Sequence, residues 1–148
     1  MKQTVRASTK KVPGGLKVDT KARSFTLICD EPTDSGGTDE GMTPVEALLG
    51  SLGSCMTIAA FILAGQKSII LKDFSVDIEG DLDPDGFLGI NEDVRKGFSE
   101  IRLSIQLVAD GDPSEVEAFA RFVESRCPVG DTLSGGVPIT CQSITVRQ

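Results

Sequence analysis

Residues 47–66 carry no charged side chain, in a chain that is 25% Asp, Glu, Lys and Arg. Within this run Leu48, Leu52, Cys55, Ala59 and Ile62 recur at helical spacing, and Leu49, Met56, Ala60 and Leu63 cover a second face. A helix that is apolar all round is buried, so the pattern predicts a long core helix over residues 43–65. Thr43 suits the N-cap, Pro44 the first helical position, and Glu46 adds an acid to the first turn. The rival is a transmembrane span, because about 20 apolar residues cross a bilayer. Gly50, Ser51, Gly53, Ser54 and Thr57 make the N-terminal half only mildly apolar, and no basic cluster or aromatic belt flanks it. No signal-like segment precedes it. The expectation is therefore a buried helix, with small residues that admit close approach of another backbone.

Around that helix the period changes to two. Residues 3–9 alternate, with Val5 and Ala7 against Thr4, Arg6 and Ser8, and read as a strand. Pro13-Gly14-Gly15 marks a turn before a second short strand at residues 16–19, and residues 24–29 read as a third. Residues 30–42 are acidic and rich in turn formers, a surface loop leading into the core helix. After the helix, residues 73–79 and 98–108 alternate clearly and predict two more strands, the first ending in a loop at Asp83-Pro84-Asp85-Gly86. Asp112-Pro113-Ser114-Glu115 opens a second helix with an apolar stripe of Val116, Phe119, Ala120 and Val123 and a charged opposite side, hence amphipathic. A turn of helix comes next at residues 129–133, and residues 139–146 read as the last strand. Strands, a buried helix, more strands and an amphipathic helix predict an α+β fold with helices on one face of antiparallel sheet.

Length and charge narrow the function. At 148 residues the chain is expected to form a single domain spanning residues 1–148, with a core that needs no staples. A net charge of −7 disfavours nucleic acid and anionic membranes as partners. With no histidine at all, general acid–base chemistry on imidazole, Ser-His-Asp and Cys-His nucleophile systems, and imidazole zinc sites are all excluded. Any catalysis rests on Cys, Asp, Glu, Lys, Arg or Ser. The four cysteines, Cys29, Cys55, Cys127 and Cys141, form no CxxC pair, which argues against a zinc knuckle and a disulfide scaffold.

Cys29 and Cys141 fall in apparent strands and read as inert, because free cysteines are commonly buried. Cys55, mid-helix in an apolar stretch, taken alone also reads as a core residue. Cys127 differs: it follows Arg126 and precedes Pro128 at the start of a helical turn, where helix N-terminal amides and a cation lower a thiol pKa. A Cys55–Cys127 redox pair is the functional reading of these residues, and two inert thiols the structural one.

The stretch GGTDEGMTPVEALLGSLGSCMTIAAFILA, followed about seventy residues on by RCPVGDTLSGGVPIT, resembles the OsmC/Ohr family (osmotically inducible protein C and organic hydroperoxide resistance protein). It is closest to a less characterised OsmC-like branch. The likeness runs from about Gly36 to the C-terminus. It implies an OsmC-like α+β fold, with antiparallel sheet, a long buried central helix and an intertwined homodimer whose active sites lie at the subunit interface. It implies a cytoplasmic, thiol-dependent peroxidase that reduces organic hydroperoxides, with Cys55 as peroxidatic and Cys127 as resolving thiol. A dithiol reductant resets the pair, and no cofactor and no metal are required. Ala47, Gly50, Ser51 and Ser54 fit two such helices crossing closely.

One departure matters. The well-studied peroxidase branches place a carboxylate ten residues before the peroxidatic Cys, paired to an Arg that holds the thiolate. Here that position is Val45, and the acid, Glu46, lies nine residues before Cys55. At 100° per residue Glu46 falls roughly opposite Cys55, about 13.5 Å along the helix. Glu46 and Arg23 are the candidates for this supporting pair, with Arg6 and Arg126 as alternatives for the cation. The departure also motivates a second reading: an OsmC-like small-molecule or thiol-sensing binding protein with weak or no peroxidase activity.

Overall fold

A computed structural model describes residues 1–147. The element order is β1 (Ser8–Lys11), β2 (Val18–Ala22), β3 (Phe25–Cys29), α1 (Pro44–Lys67), β4 (Ile70–Asp81), α2 (Pro84–Leu88), β5 (Glu100–Asp110), α3 (Pro113–Ser125) and α4 (Pro128–Gly135). The chain divides into two compact units, one ending at Gly50 and one beginning at Ser51, and α1 is the element that runs across the boundary.

The first unit is an antiparallel sheet in the order β1-β2-β3. Gly14 and Gly15 turn the chain between β1 and β2 at φ of 92° and 50°, a left-handed conformation open to glycine. The strand expected over residues 3–9 begins only at Ser8, because the residues before it have no ladder partner. Polar contacts organise the segment after β3. Asp30 is buried, and its carboxylate accepts from the N–H of Glu31 (2.8 Å), Thr38 (3.1 Å) and Glu40 (3.2 Å) and from the Thr38 hydroxyl (2.5 Å). These bonds fold the loop over residues 30–42 back on itself. Gly37 is required there, since a Cβ would lie 1.8 Å from the Glu31 carbonyl oxygen.

The second unit is built on apolar packing. β4 and β5 form an antiparallel pair with one irregularity between Leu71 and Asp73. Leu52, Met56, Ala60 and Ala64, spaced by four on α1, join Phe74, Phe119, Val123 and Cys127 in one core cluster. Val76, Ile78, Ile101, Leu103, Ile105 and Leu107 pack against it from the sheet. Each buried Leu, Met, Phe or Val contributes about 1.5–3 kcal/mol. On the solvent side of the pair, Arg102 binds Glu79, Asp81 and Glu100, an ion cluster that strand alternation by itself does not reveal.

Three expectations are corrected. α1 is not buried all round: one stripe is covered, while Ile58 (62%), Phe61 (50%) and Ile62 (60%) on the opposite side are exposed. By length and composition α1 also qualifies as a membrane span. The segment read as a loop at Asp83-Pro84-Asp85 opens α2, with the Asp83 carboxylate accepting from the Asp85 N–H. Residues 139–146 form no strand; Ile139 stands 97% exposed, because alternation yields a strand only where a partner completes the ladder.

Candidate active site

Three helices begin the same way. In α2 and α3 an Asp-Pro step places an aspartate at the N-cap, where its carboxylate accepts from the N–H two residues on, at 3.0 Å for Asp83 and 2.9 Å for Asp112. In α4 a Cys-Pro step does the same with sulfur: Cys127 is the N-cap, and its Sγ accepts from the Gly130 N–H at 3.3 Å. The chain reaches this point directly from α3, whose last turn closes with Arg126 N–H to the Val123 carbonyl and Cys127 N–H to the Glu124 carbonyl.

The first turn of α4 packs on α1. A Cβ at Gly130 would sit 3.6 Å from Leu52 Cδ1 and 3.6 Å from Cys127 Sγ, ordinary contact distances. Leu52 lies three residues before Cys55, about 60° away around the helix. This contact sets the start of α4 beside the second thiol: Cys55 lies near enough to Cys127 to raise its pKa. Cys127 is only 2% exposed, whereas Cys55 is half-buried on the flank of the α1 stripe.

The local electrostatics differ from the sequence expectation. Burial pushes the Cys127 thiol up from its ordinary value; the Gly130 and Val129 N–H groups pull it down, but the neighbouring Cys55 thiol adds to the rise. The helix amides act in the direction the sequence predicts, and desolvation outweighs them. Arg126 turns back over the Phe122 ring, 5.5 Å from its centroid, as does Lys67 at 4.6 Å.

The remaining candidates lie in the first unit. The Glu46 carboxylate accepts from the Thr43 N–H at 2.7 Å while the Thr43 hydroxyl accepts from the Glu46 N–H at 3.3 Å, a reciprocal capping box at the start of α1. Arg23 has a left-handed φ of 56° and lies 4.9 Å over the Phe25 ring. Arg6 belongs to the exposed segment before β1. Cys29 ends β3 in a buried position, and Cys141 is exposed on the C-terminal segment rather than in a strand. Among the described residues no group of His, Cys, Asp or Glu side chains is arranged to hold a metal ion.

Sequence reasoning placed Cys127 at the start of a helical turn under its amides, and missed only the Gly130 N–H as the capping donor and the Leu52–Gly130 contact beside it. The cap had a visible signal, the same residue-before-proline step that opens α2 and α3. Chemically, two neighbouring thiols, one enclosed and one partly open, have the functional groups that exchange between a dithiol and a disulfide requires.

Comparison with known proteins gives the context. Residues 37–142 match the family described as OsmC-like protein. A protein named hydroperoxide reductase from Mycoplasma pneumoniae is 29% identical over 101 residues, covering 66% of this chain and 66% of that protein. Its counterpart of the same name in Mycoplasma genitalium is 27% identical over 99 residues, covering 65% and 64%. The chain thus spans just under two thirds of the length of these curated relatives. The solved OsmC-like protein of Mycoplasma pneumoniae superimposes with a TM-score of 0.79 at 23% identity, covering 92% of this chain and 91% of that one. An OsmC-like protein of unknown function from Vibrio cholerae gives 0.71 at 11% identity, covering 88% and 94%. An organic hydroperoxide resistance protein, OsmC, from Legionella pneumophila gives 0.60 at 22%, covering 90% of each chain. At these identities the structures speak for the fold, and the family match extends over most of the sequence. The chain belongs to the OsmC-like proteins.

Proposed function

We propose that this protein is a cysteine-based peroxidase that reduces organic hydroperoxides through Cys55 and Cys127. The observation that carries the reading is an enclosed thiol at a helix start with a half-open thiol of the central helix beside it, near enough to shift its pKa. The names of the Mycoplasma relatives support the same chemistry. In the proposed cycle the Cys55 thiolate attacks the O–O bond, giving a sulfenic acid at Cys55 and an alcohol. The Cys127 thiol condenses with that sulfenic acid, releasing water and forming the disulfide. A dithiol reductant then restores both thiols and leaves as its own disulfide. The substrate has an apolar body, in keeping with Leu52, Met56 and Phe61 around the thiol's helix.

We place the protein in the cytoplasm, where thiols are kept reduced, as a homodimer. The exposed face of α1, with Ser51 and Ser54 leading into Ile58, Phe61 and Ile62, supports self-association through close helix crossing. Glu46 and Arg23 remain proposed supports of the thiolate only through such an assembly. Glu46's engagement in the capping box favours a second reading, an OsmC-like binding or thiol-sensing protein with weak turnover.

The test is consumption of cumene hydroperoxide with dithiothreitol as reductant. Wild type is expected to turn over, and Cys55→Ser to lose at least a hundredfold. Equal rates in the two proteins would sink the proposal. A silent wild type that binds an apolar ligand saturably would establish the second reading.

A further inference from the structure

The two thiols are unequal targets once they are joined. Thiol–disulfide exchange requires the incoming thiolate to approach one sulfur along the S–S axis, with the other sulfur leaving. Cys127 is closed to such an approach: it is 2% exposed, belongs to the core cluster with Met56 and Val123, and has the Gly130 N–H against its sulfur at 3.3 Å. Cys55 lies on a flank of α1 with part of its surface open. The side of the bond that is shut also holds the groups that receive an anion, the Gly130 and Val129 N–H groups at the start of α4.

Resting on the proposed redox pair, we infer that the reductant attacks the Cys55 sulfur and that Cys127 is the leaving thiolate, received by the Gly130 N–H. One thiolate of the dithiol bonds to Cys55 Sγ, the Cys55–Cys127 bond breaks, and its electron pair stays on Cys127. That thiolate takes the proton of the reductant's second thiol, in line with burial favouring the protonated form of Cys127. The second thiolate then attacks the reductant's own sulfur in the mixed disulfide and releases Cys55 as a thiolate. Two electrons pass from the dithiol to the protein, and the reductant departs as a cyclic disulfide. The helix start therefore decides direction: the Cys127 sulfur is always the one that leaves and never the one the reductant's sulfur bonds to.

The experiment fixes which sulfur is attacked. A Cys141→Ser protein, lacking the exposed thiol, is oxidised with diamide and mixed with excess 2-mercaptoethanol. It is quenched in acid after a short interval, denatured, blocked with N-ethylmaleimide and mapped by peptide mass. Mercaptoethanol on Cys55 with maleimide on Cys127, in at least tenfold excess over the reverse, is the expected result. The reverse pattern, equal labelling, or no Cys55–Cys127 bond under diamide would overturn the inference. Because diamide replaces peroxide, the two proposals fail separately. Correct labelling without peroxide consumption removes the peroxidase and keeps the direction; peroxide consumption with reversed labelling does the opposite.

Discussion

Up to Gly50 the only buried described side chains are Cys29 and Asp30, and three strands leave Phe25, Leu27 and Ile28 exposed. From Ser51 onward Leu52, Met56, Phe74, Phe119 and Val123 close into a continuous apolar core. The first region is held by strand ladders and by one carboxylate that gathers three N–H groups and a hydroxyl; the second is held by area removed from water. Hydrogen bonds contribute little net stability each but fix geometry, whereas apolar burial supplies magnitude without direction. The contrast teaches that the second region draws its stability from burial, and the first its shape from directed hydrogen bonds.

The largest effect that would break this contrast is a cavity in the core. Phe119→Ala is expected to cost about 3–5 kcal/mol, read as a lowered urea midpoint in circular dichroism. A loss under about 1 kcal/mol would mean the cluster is not what stabilises the second region. Next comes the exposed face of α1. Phe61→Glu leaves the core stripe untouched, so helix content should persist while self-association weakens at least tenfold in sedimentation equilibrium. A monomeric wild type would remove the proposed cover. The smallest and most local effect belongs to Asp30. Its carboxyl is held at about 2, below the usual 3.8, chiefly by the Thr38 hydroxyl and then by the surrounding N–H groups. Since the folded value is the lower one, its stabilisation is complete above about pH 4 and fades as pH falls through 2. The amide resonances of Thr38 and Glu40 should titrate with a midpoint near that value and be flat in Asp30→Asn. A midpoint near 3.8 would show that the carboxylate is not the organiser of the loop.

Much of the second region was legible because its signals are local. The charge-free run marked α1, alternation marked β4 and β5, and Asp112-Pro113 with the Val116–Phe119–Val123 stripe marked α3. What failed depended on distant chain. Residues 139–146 alternate like a strand but have no ladder to join, and the apolar circumference of α1 reads as buried although this chain covers one side. α2 was missed for a different reason: Asp83-Pro84 repeats the step at Asp112-Pro113, and its short length hid it among turn residues. The nearness of Cys55 to Cys127 is beyond local pattern altogether. It lies where Leu52 meets Gly130; in the sequence the residues made the pair one of two readings, and the family likeness gave it weight.

The sulfur at the head of α4 links a helix to a potential. An N-cap acceptor is worth about 0.5–2 kcal/mol to its helix, and in a two-electron couple about 1.4 kcal/mol corresponds to 30 mV. If Cys127 caps α4 less well as half of a disulfide than as a thiol, the helix favours the reduced state by that difference. The midpoint potential of the pair then rises by on the order of 10–40 mV. Substitutions at Gly130 that move its N–H away from the sulfur would thereby tune how readily this protein accepts electrons, without touching either cysteine.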